Sequence, residues 1–367
     1  ASYLYNILMN DNKYLFCIPT PNGGAGNQLV GIKEALIISY FSDRIFLFPP
    51  ITQHFIINHF KRNDRYDYKY WKFNTIFCYN NNNYLDVLEN IEFLNDIHTL
   101  YYMRKPNQPV PVECVFEKID NKIWNCKNKK YICAPCKLNC KEDYDFFKNI
   151  NDKVLAINFT YNITNISICG INGCRKCNLN SNLEIIYKDI CSKLDFSQKI
   201  KKIGDDFINN NFKNDEFISV HLRYTDYFKG LLPEFENLKD LTKTFDEEDI
   251  NNYLIQLSKE QNICVENIFI ATPVPYRIKN SSLRVYKLLN NDDNYDELES
   301  FIEQYICCKS KLFVYCGGET DNHVHQIPWT FHKRSSWSSF VTDYRNYLLK
   351  KNPKTNILLP LIFGNDL

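Results

Sequence analysis

Apolar positions along the chain follow two rhythms that alternate. Short unbroken apolar runs give way to longer stretches with apolar residues at helical spacing, which predicts strands leading into helices. The run YLFCIPT, Tyr14 to Thr20, reads as a short buried strand. A glycine turn, GGAGNQ, follows it, and LVGIKEALIISYFS then places its apolar residues at helical spacing. RIFLFPPI, Arg44 to Ile51, is a second strand, halted by a proline pair. Strand, turn, helix and strand make one βαβ unit.

From about Thr52 to Phe196 the pattern is less regular, and this stretch reads as insertions decorating the first domain. A second α/β series begins at FISVHLRY (Phe217 to Tyr224). It continues through a helix around Asp246 to Gln261, the strand NIFIATP (Asn267 to Pro273), a helix through Tyr295 to Cys308 and the strand KLFVYCGG (Lys311 to Gly318). SSWSSFVTDYRNYLLKK is the last long helix, with Ser335 or Ser336 as its N-cap. The segment Lys199 to Asn214, rich in Lys, Asn and Asp, marks a boundary. The expected domains are residues 1–200, with a cysteine-rich insertion at about 114–191, and residues 201–367. A chain of 367 residues suits two domains of ordinary size, and the class is α/β.

Charge excludes some partners. The chain has 44 basic and 43 acidic residues, a balance that gives no electrostatic reason to expect nucleic acid or an anionic membrane. No apolar run approaches the roughly 20 residues of a spanning helix. The opening ASYLYNILMNDNKYLFCIP lacks a basic n-region and a long h-region, so a cytoplasmic location is expected, with the secretory lumen as the alternative if a signal was trimmed.

Nine of the fifteen cysteines fall between Cys114 and Cys191. They include two CxxC pairs, Cys133/Cys136 and Cys174/Cys177. Thiolates two residues apart can share a tetrahedral zinc, although these pairs lie further apart than the usual ribbon spacing of about 15–20 residues. Disulfides stapling an irregular insertion, or free thiols, fit the same pattern. In each case the role is structural. His323, His325 and His332 read either as a metal cluster or as ordinary loop histidines.

Ligands of parallel α/β sheets bind off the carboxyl ends of the strands. Four features fall there: GGAGNQ, HLRYTD, the ATP of Ala271 to Pro273, and SSWSSF. Arg223 at a strand end offers a planar fork for phosphate, or a partner for a neighbouring carboxylate. Asp226 could orient it. The serine-rich helix start is an anion site or a simple cap. GxxxxGK[ST] is absent and GGAGNQ lacks the GxGxxG spacing, so this is not a P-loop or a dinucleotide fingerprint.

These motifs, in this order and with EQYICCKSKLFVYCGG and Arg345, resemble the GDP-fucose-dependent fucosyltransferase superfamily, nearest the protein O-fucosyltransferase branch. The resemblance covers both ends of the chain and leaves the cysteine-rich middle unmatched. It implies a GT-B architecture, with two Rossmann-like domains facing a cleft and GDP-fucose held mainly by the C-terminal one. By motif, Arg223 holds the β-phosphate, His221 lies near the nucleotide or sugar, and Asp226 supports them. Ser338, Ser339 and Phe340 receive phosphate and base, with Ser336 and Thr272 on the same donor side. Asn27, with the backbone of Gly23, Gly24, Ala25 and Gly26, reaches the fucose and the acceptor.

The implied reaction is inverting fucosyl transfer from GDP-fucose to a hydroxyl, of a protein Ser/Thr first and a glycan second, with no cofactor or catalytic metal. A non-catalytic nucleotide-sugar-binding module is the rival, because PNGGAGNQ has no acidic residue to act as base and Pro273 stands where relatives have an acid. Asp226, Glu319 and Asp321 are the remaining carboxylates near the motifs.

Overall fold

The computed structural model describes residues 12–18, 25–52, 70–80, 84–102, 130–134, 138, 141–158, 181–213, 215–221, 247–271, 285–286, 288, 297–315 and 336–359. The chain separates into two compact units, Ala1–Ser197 and Gln198–Leu367.

In the first unit the strands are β1 (Tyr14–Ile18), β2 (Ile45–Phe48), β3 (Ile51–Thr52), β4 (Tyr70–Trp71), β5 (Phe77–Tyr79), β6 (Tyr84–Asp86), β7 (Thr99–Tyr102), β8 (Lys130–Cys133), β9 (Val154–Asn158) and β10 (Leu194–Phe196). The helices are α1 (Ala25–Ser42), the single turn α2 (Phe73–Ile76), α3 (Lys141–Lys148) and α4 (Ser181–Lys193). Six strands form one parallel sheet in the order β6-β2-β1-β9-β7-β8. Tyr14 stands opposite both Ile45 and Val154, so β9 is the second neighbour of β1. β3–β4 and β5–β10 are small antiparallel pairs beside it.

This corrects the expectation for the middle of the chain. Four of the six strands, β6 to β9, come from the stretch read as decoration, and one of them lies at the sheet's centre. α1 is buried along nearly its whole length because it packs on β1, β2, α3 and α4. Its apolar residues therefore do not form one stripe. The helix ends with Asp43 in the left-handed conformation (φ 55°), one of the few roles a short polar non-glycine side chain fills. Arg44 follows, buried, and its guanidinium donates to the carbonyls of Tyr14, Ile150 and Asp152 at 3.1, 2.6 and 2.8 Å. It thereby ties together the chain entering β1, β2 and β9.

The second unit contains α5 (Gln198–Phe212), β11 (Ile218–His221), α6 (Glu247–Glu260), β12 (Ile268–Ala271), β13 (Val285–Tyr286), α7 (Glu297–Lys309), β14 (Leu312–Tyr315), α8 (Ser336–Asp343) and β15 (Asn356–Leu358). Its five strands are parallel, in the order β13-β12-β11-β14-β15. Alternation along the strands assigns the helices to opposite faces. Ile218, Val220, Ile268, Ile270, Leu312 and Val314 share a core with Ile250, Leu254 and Leu257 of α6. On the other face Ser219 bonds to Ser310 at 2.7 Å and Phe269 meets Phe207 of α5 with ring centroids 5.5 Å apart.

The last helix also departs from expectation, because α8 stops at Asp343 and the chain widens into a π turn over Tyr344–Leu348. Arg345 accounts for the change. It is fully buried, and its guanidinium donates to the carbonyls of Cys307, Cys308 and Ser310 at 3.2, 3.2 and 2.7 Å, to Lys311 O at 3.1 Å, and to Asn356 Oδ1 at 2.6 Å. These carbonyls end α7, where a cation complements the helix dipole.

Candidate functional site

In the second unit His221 stands opposite Ala271 on one side and Tyr315 on the other, so three parallel strands finish on one level. This is the carboxyl edge where α/β sheets bind ligands. The next residues of each strand, Arg223, Asp226, Thr272 and Pro273 among them, lie outside the described residues. So do Glu319, Asp321, His323, His325 and His332.

α8 starts beside this edge. His221 Nδ1 and Ser338 Oγ are 2.7 Å apart, and the imidazole lies almost parallel to the Trp337 indole, with centroids 4.1 Å apart and planes 19° apart. Trp337 is held in turn by α7: its Nε1–H donates to Ser300 Oγ at 2.9 Å, and its carbonyl accepts from Gln304 Nε2 at 3.3 Å. The first turn of any helix leaves backbone N–H groups unpaired within it, and the aligned peptides make this end partially positive. An imidazole, buried hydroxyls and a helix N-terminus are thus brought together, a chemistry suited to anionic oxygen.

Four of the proposed donor-side residues fall on α8, and three of them have described side chains. Ser338 is fully buried with its hydroxyl engaged by His221. Ser339 is buried and its Oγ has no hydrogen-bond partner among the described residues. The Phe340 ring is buried and tilted against Tyr344 at 6.2 Å, so it belongs to the packing of the unit. Ser336 opens the helix, and its side chain is outside the described set.

In the first unit the helix begins earlier than the sequence suggests. Ala25, Gly26 and Asn27 form the first turn of α1, whereas Gly23 and Gly24 lie outside the described residues. Four of the six residues of GGAGNQ, Ala25 to Gln28, are therefore helical, and their backbone N–H groups belong to a helix N-terminus following the carboxyl end of β1. Gly26 is buried, and the Asn27 side chain is outside the described set.

Two features escaped the sequence reading. Trp337 was passed over between the serines, although an aromatic in a helix start facing a strand-end histidine is a usable signal. Asp86, at the carboxyl end of β6, is buried, and its Oδ1 accepts from Leu88 N at 2.9 Å. Burial pushes its carboxyl above the usual carboxylate range despite backbone hydrogen bonds from Leu88 and Asn74.

Cys133 is an exposed free thiol on β8, while Cys136, Cys174 and Cys177 lie outside the described residues. Cys17, Cys191, Cys307 and Cys308 are buried in the cores of the two units. Among the described residues no group of three His, Cys, Asp or Glu is placed to hold a metal ion, and no helix is long and apolar enough to cross a membrane.

Comparison with known proteins bears on this arrangement. The crystal structure of POFUT1 in complex with GDP-fucose superimposes with a TM-score of 0.60 over 96% of this chain and 98% of that one, at 14% identity. POFUT1 in complex with GDP gives 0.59 at 15% identity, covering 95% and 98%. The α/β fold with parallel sheets is therefore that of these fucosyltransferases. GDP-fucose protein O-fucosyltransferase 2 of Plasmodium falciparum is 27% identical over 273 residues, which are 68% of this chain and 53% of that protein. The chain spans about half the length of this relative. The family model described as GDP-fucose protein O-fucosyltransferase matches residues 14–326. Parallel sheets, a strand-end histidine, a serine-rich helix start and a match over most of the chain converge: it belongs to the GDP-fucose protein O-fucosyltransferase family.

Proposed function

We propose that this chain transfers fucose from GDP-fucose to a hydroxyl group, with Ser/Thr of a protein as acceptor, inverting the anomeric centre and using no metal. The observation that carries the reading is the placement of the α8 N-terminus against His221 at the carboxyl edge of the second sheet. Family membership and the similarity to a fold that binds GDP-fucose support it.

In this reading the second unit binds the donor and the first unit the acceptor, in the two-domain manner of GT-B enzymes. The acceptor oxygen attacks C1 of fucose as the bond from C1 to the β-phosphate oxygen breaks. Negative charge grows on the departing diphosphate, and Arg223 and the N–H groups of α8 oppose it, which is electrostatic stabilisation of the transition state. His221 contributes a polar contact to the nucleotide side. Among the described side chains of α8, Ser339 offers a hydroxyl to the donor, since Ser338 is occupied. Asn27 and the first turn of α1 contact fucose and acceptor. The acceptor's proton goes to a carboxylate, with Asp226, Glu319 and Asp321 as candidates.

A thermal-shift comparison of nucleotides tests the donor assignment. GDP raises the melting temperature and UDP does not; indifference to both removes the assignment. Release of GDP from GDP-fucose, with and without a Ser/Thr peptide, then separates an enzyme from a binding module.

A further inference from the structure

We propose that Ser300 and Gln304 of α7 are positioning residues for the donor: they grip the two ends of Trp337 and so fix the first turn of α8, where a nucleoside diphosphate is received. The ligand part rests on the donor site proposed above; the grip on Trp337 does not.

Ser300 and Gln304 stand four residues apart on α7, one above the other on the face that packs against α8. Ser300 is buried, and its Oγ accepts the Trp337 indole N–H at 2.9 Å. Gln304 is fully buried, and its Nε2 donates to the Trp337 carbonyl at 3.3 Å. One bond holds the tip of the side chain and the other the backbone of the second residue of α8. A carbonyl oxygen has two lone pairs, so the bond from Gln304 does not compete with the helical ladder. The indole held in this way lies against the ring of His221 at the end of β11, with centroids 4.1 Å apart. Beyond the other end of α8, Arg345 donates to the carbonyls of Cys307, Cys308 and Ser310. α8 is thus pinned to the same partner helix at both ends, and it neither slides nor rolls without breaking directional bonds.

Apolar contact alone would hold such a helix with less precision, because hydrophobic attraction has no direction. Gln304 shows where direction has been favoured over stability. Its Oε1 is buried with no hydrogen-bond partner among the described residues, and a buried acceptor left unmet costs stability that an apolar side chain of equal length would not. Gln304 is therefore a poorer core residue than methionine and a better anchor for Trp337. Helix N–H groups serve a diphosphate only when well aimed, within about 0.5 Å and 10–20° of the productive geometry.

Nitrogen-15 spectra of the tryptophan-labelled 367-residue chain read the grip without any ligand. The chain has four tryptophans, and the Trp337 indole signal is identified by its loss in Trp337→Phe. In the wild type its N–H is expected to exchange with solvent about tenfold more slowly than in Ser300→Ala, with Ser300→Thr restoring the protection. Equal exchange in wild type and Ser300→Ala overturns the proposal.

GDP titration provides the second arm. Gln304→Met and Ser300→Ala are each expected to weaken GDP binding about tenfold, and Gln304→Met does so at an unchanged or raised melting temperature. Ser300→Thr binds as the wild type does. Wild-type affinity in either weakened variant overturns the positioning role. So does a fall in the melting temperature of Gln304→Met that accompanies its loss of affinity, because the role is then structural. A wild type with a protected Trp337 indole that binds no GDP removes the donor assignment while upholding the grip.

Discussion

Gly204 of α5 lies directly beneath the ring of Tyr305 on α7, so close that a methyl group on Gly204 would overlap Cδ1 and come within 3.0 Å of Cε1. The ring cannot step aside cheaply, because its hydroxyl donates to Asp205 Oδ1 at 2.9 Å. Gly204→Ala is therefore expected to lower stability by about 1–3 kcal/mol, even though alanine is the better helix former. The melting temperature should fall, and the double variant Gly204→Ala/Tyr305→Leu should recover part of the loss. Equal stability of Gly204→Ala and wild type would show that the two helices can move apart freely.

Arg345→Met removes the cation that collects the carbonyls at the end of α7. Several buried acceptors lose their donor at once, and the expected cost is about 3 kcal/mol or more, read as a shift in the urea midpoint. Arg345→Lys should recover little, because an ammonium cannot reproduce the planar fork.

Lys351 gives the fold a pH dependence on the alkaline side. Burial is the first cause, and the nearby Arg345 charge the second, of a pKa pushed down to about 8 from its usual 10.5. The unfolded chain thus binds the proton more tightly than the folded one between about 8 and 10.5, so stability rises with pH across that window. This rising component should be absent in Lys351→Met, while the contributions of buried Cys307 and Tyr101, whose raised pKa values act in the opposite direction, persist in both proteins. Comparing the two proteins from pH 7 to 10.5 by chemical denaturation cancels every other titrating group; parallel profiles would contradict the assignment.

Arg223→Ala is expected to lower the turnover of GDP-fucose about a hundredfold, roughly 3 kcal/mol of barrier, without changing the melting temperature. Retained activity would mean that the diphosphate is neutralised elsewhere. Treatment with a chelator should leave the rate unaltered in the same assay.

The second unit was legible because its signals are local. IFIA is an unbroken apolar run and ISVH alternates apolar with polar; both feed helices with one apolar face, and their strand ends carry the polar residues of a site. The first unit was not, because β6, β7 and β8 are three or four residues each and include charged and hydroxyl side chains. Nothing along the chain announces that Val154 to Asn158 pairs with Tyr14 to Ile18. The family was readable from three motifs, yet the contact of His221 with Ser338 was not, since 117 residues separate them. Helix α1 begins inside GGAGNQ because Gly26 sits in the first turn, where a residue's N–H has no intrahelical partner and glycine breaks no intrahelical bond.

The central place of β9 sets a timetable for the chain as it leaves the ribosome. β1, α1 and β2 are complete by Phe48, whereas β9 ends at Asn158 and α4 at Lys193. At about 5–20 residues per second, β9 arrives ~5–20 s after β2. For most of that interval α1 lacks α3, and for all of it α4, the helices that cover it in the finished molecule. A helix whose apolar residues lie on several faces is thus left in water until its partners are made, a stretch of exposed apolar surface of the kind chaperones shelter.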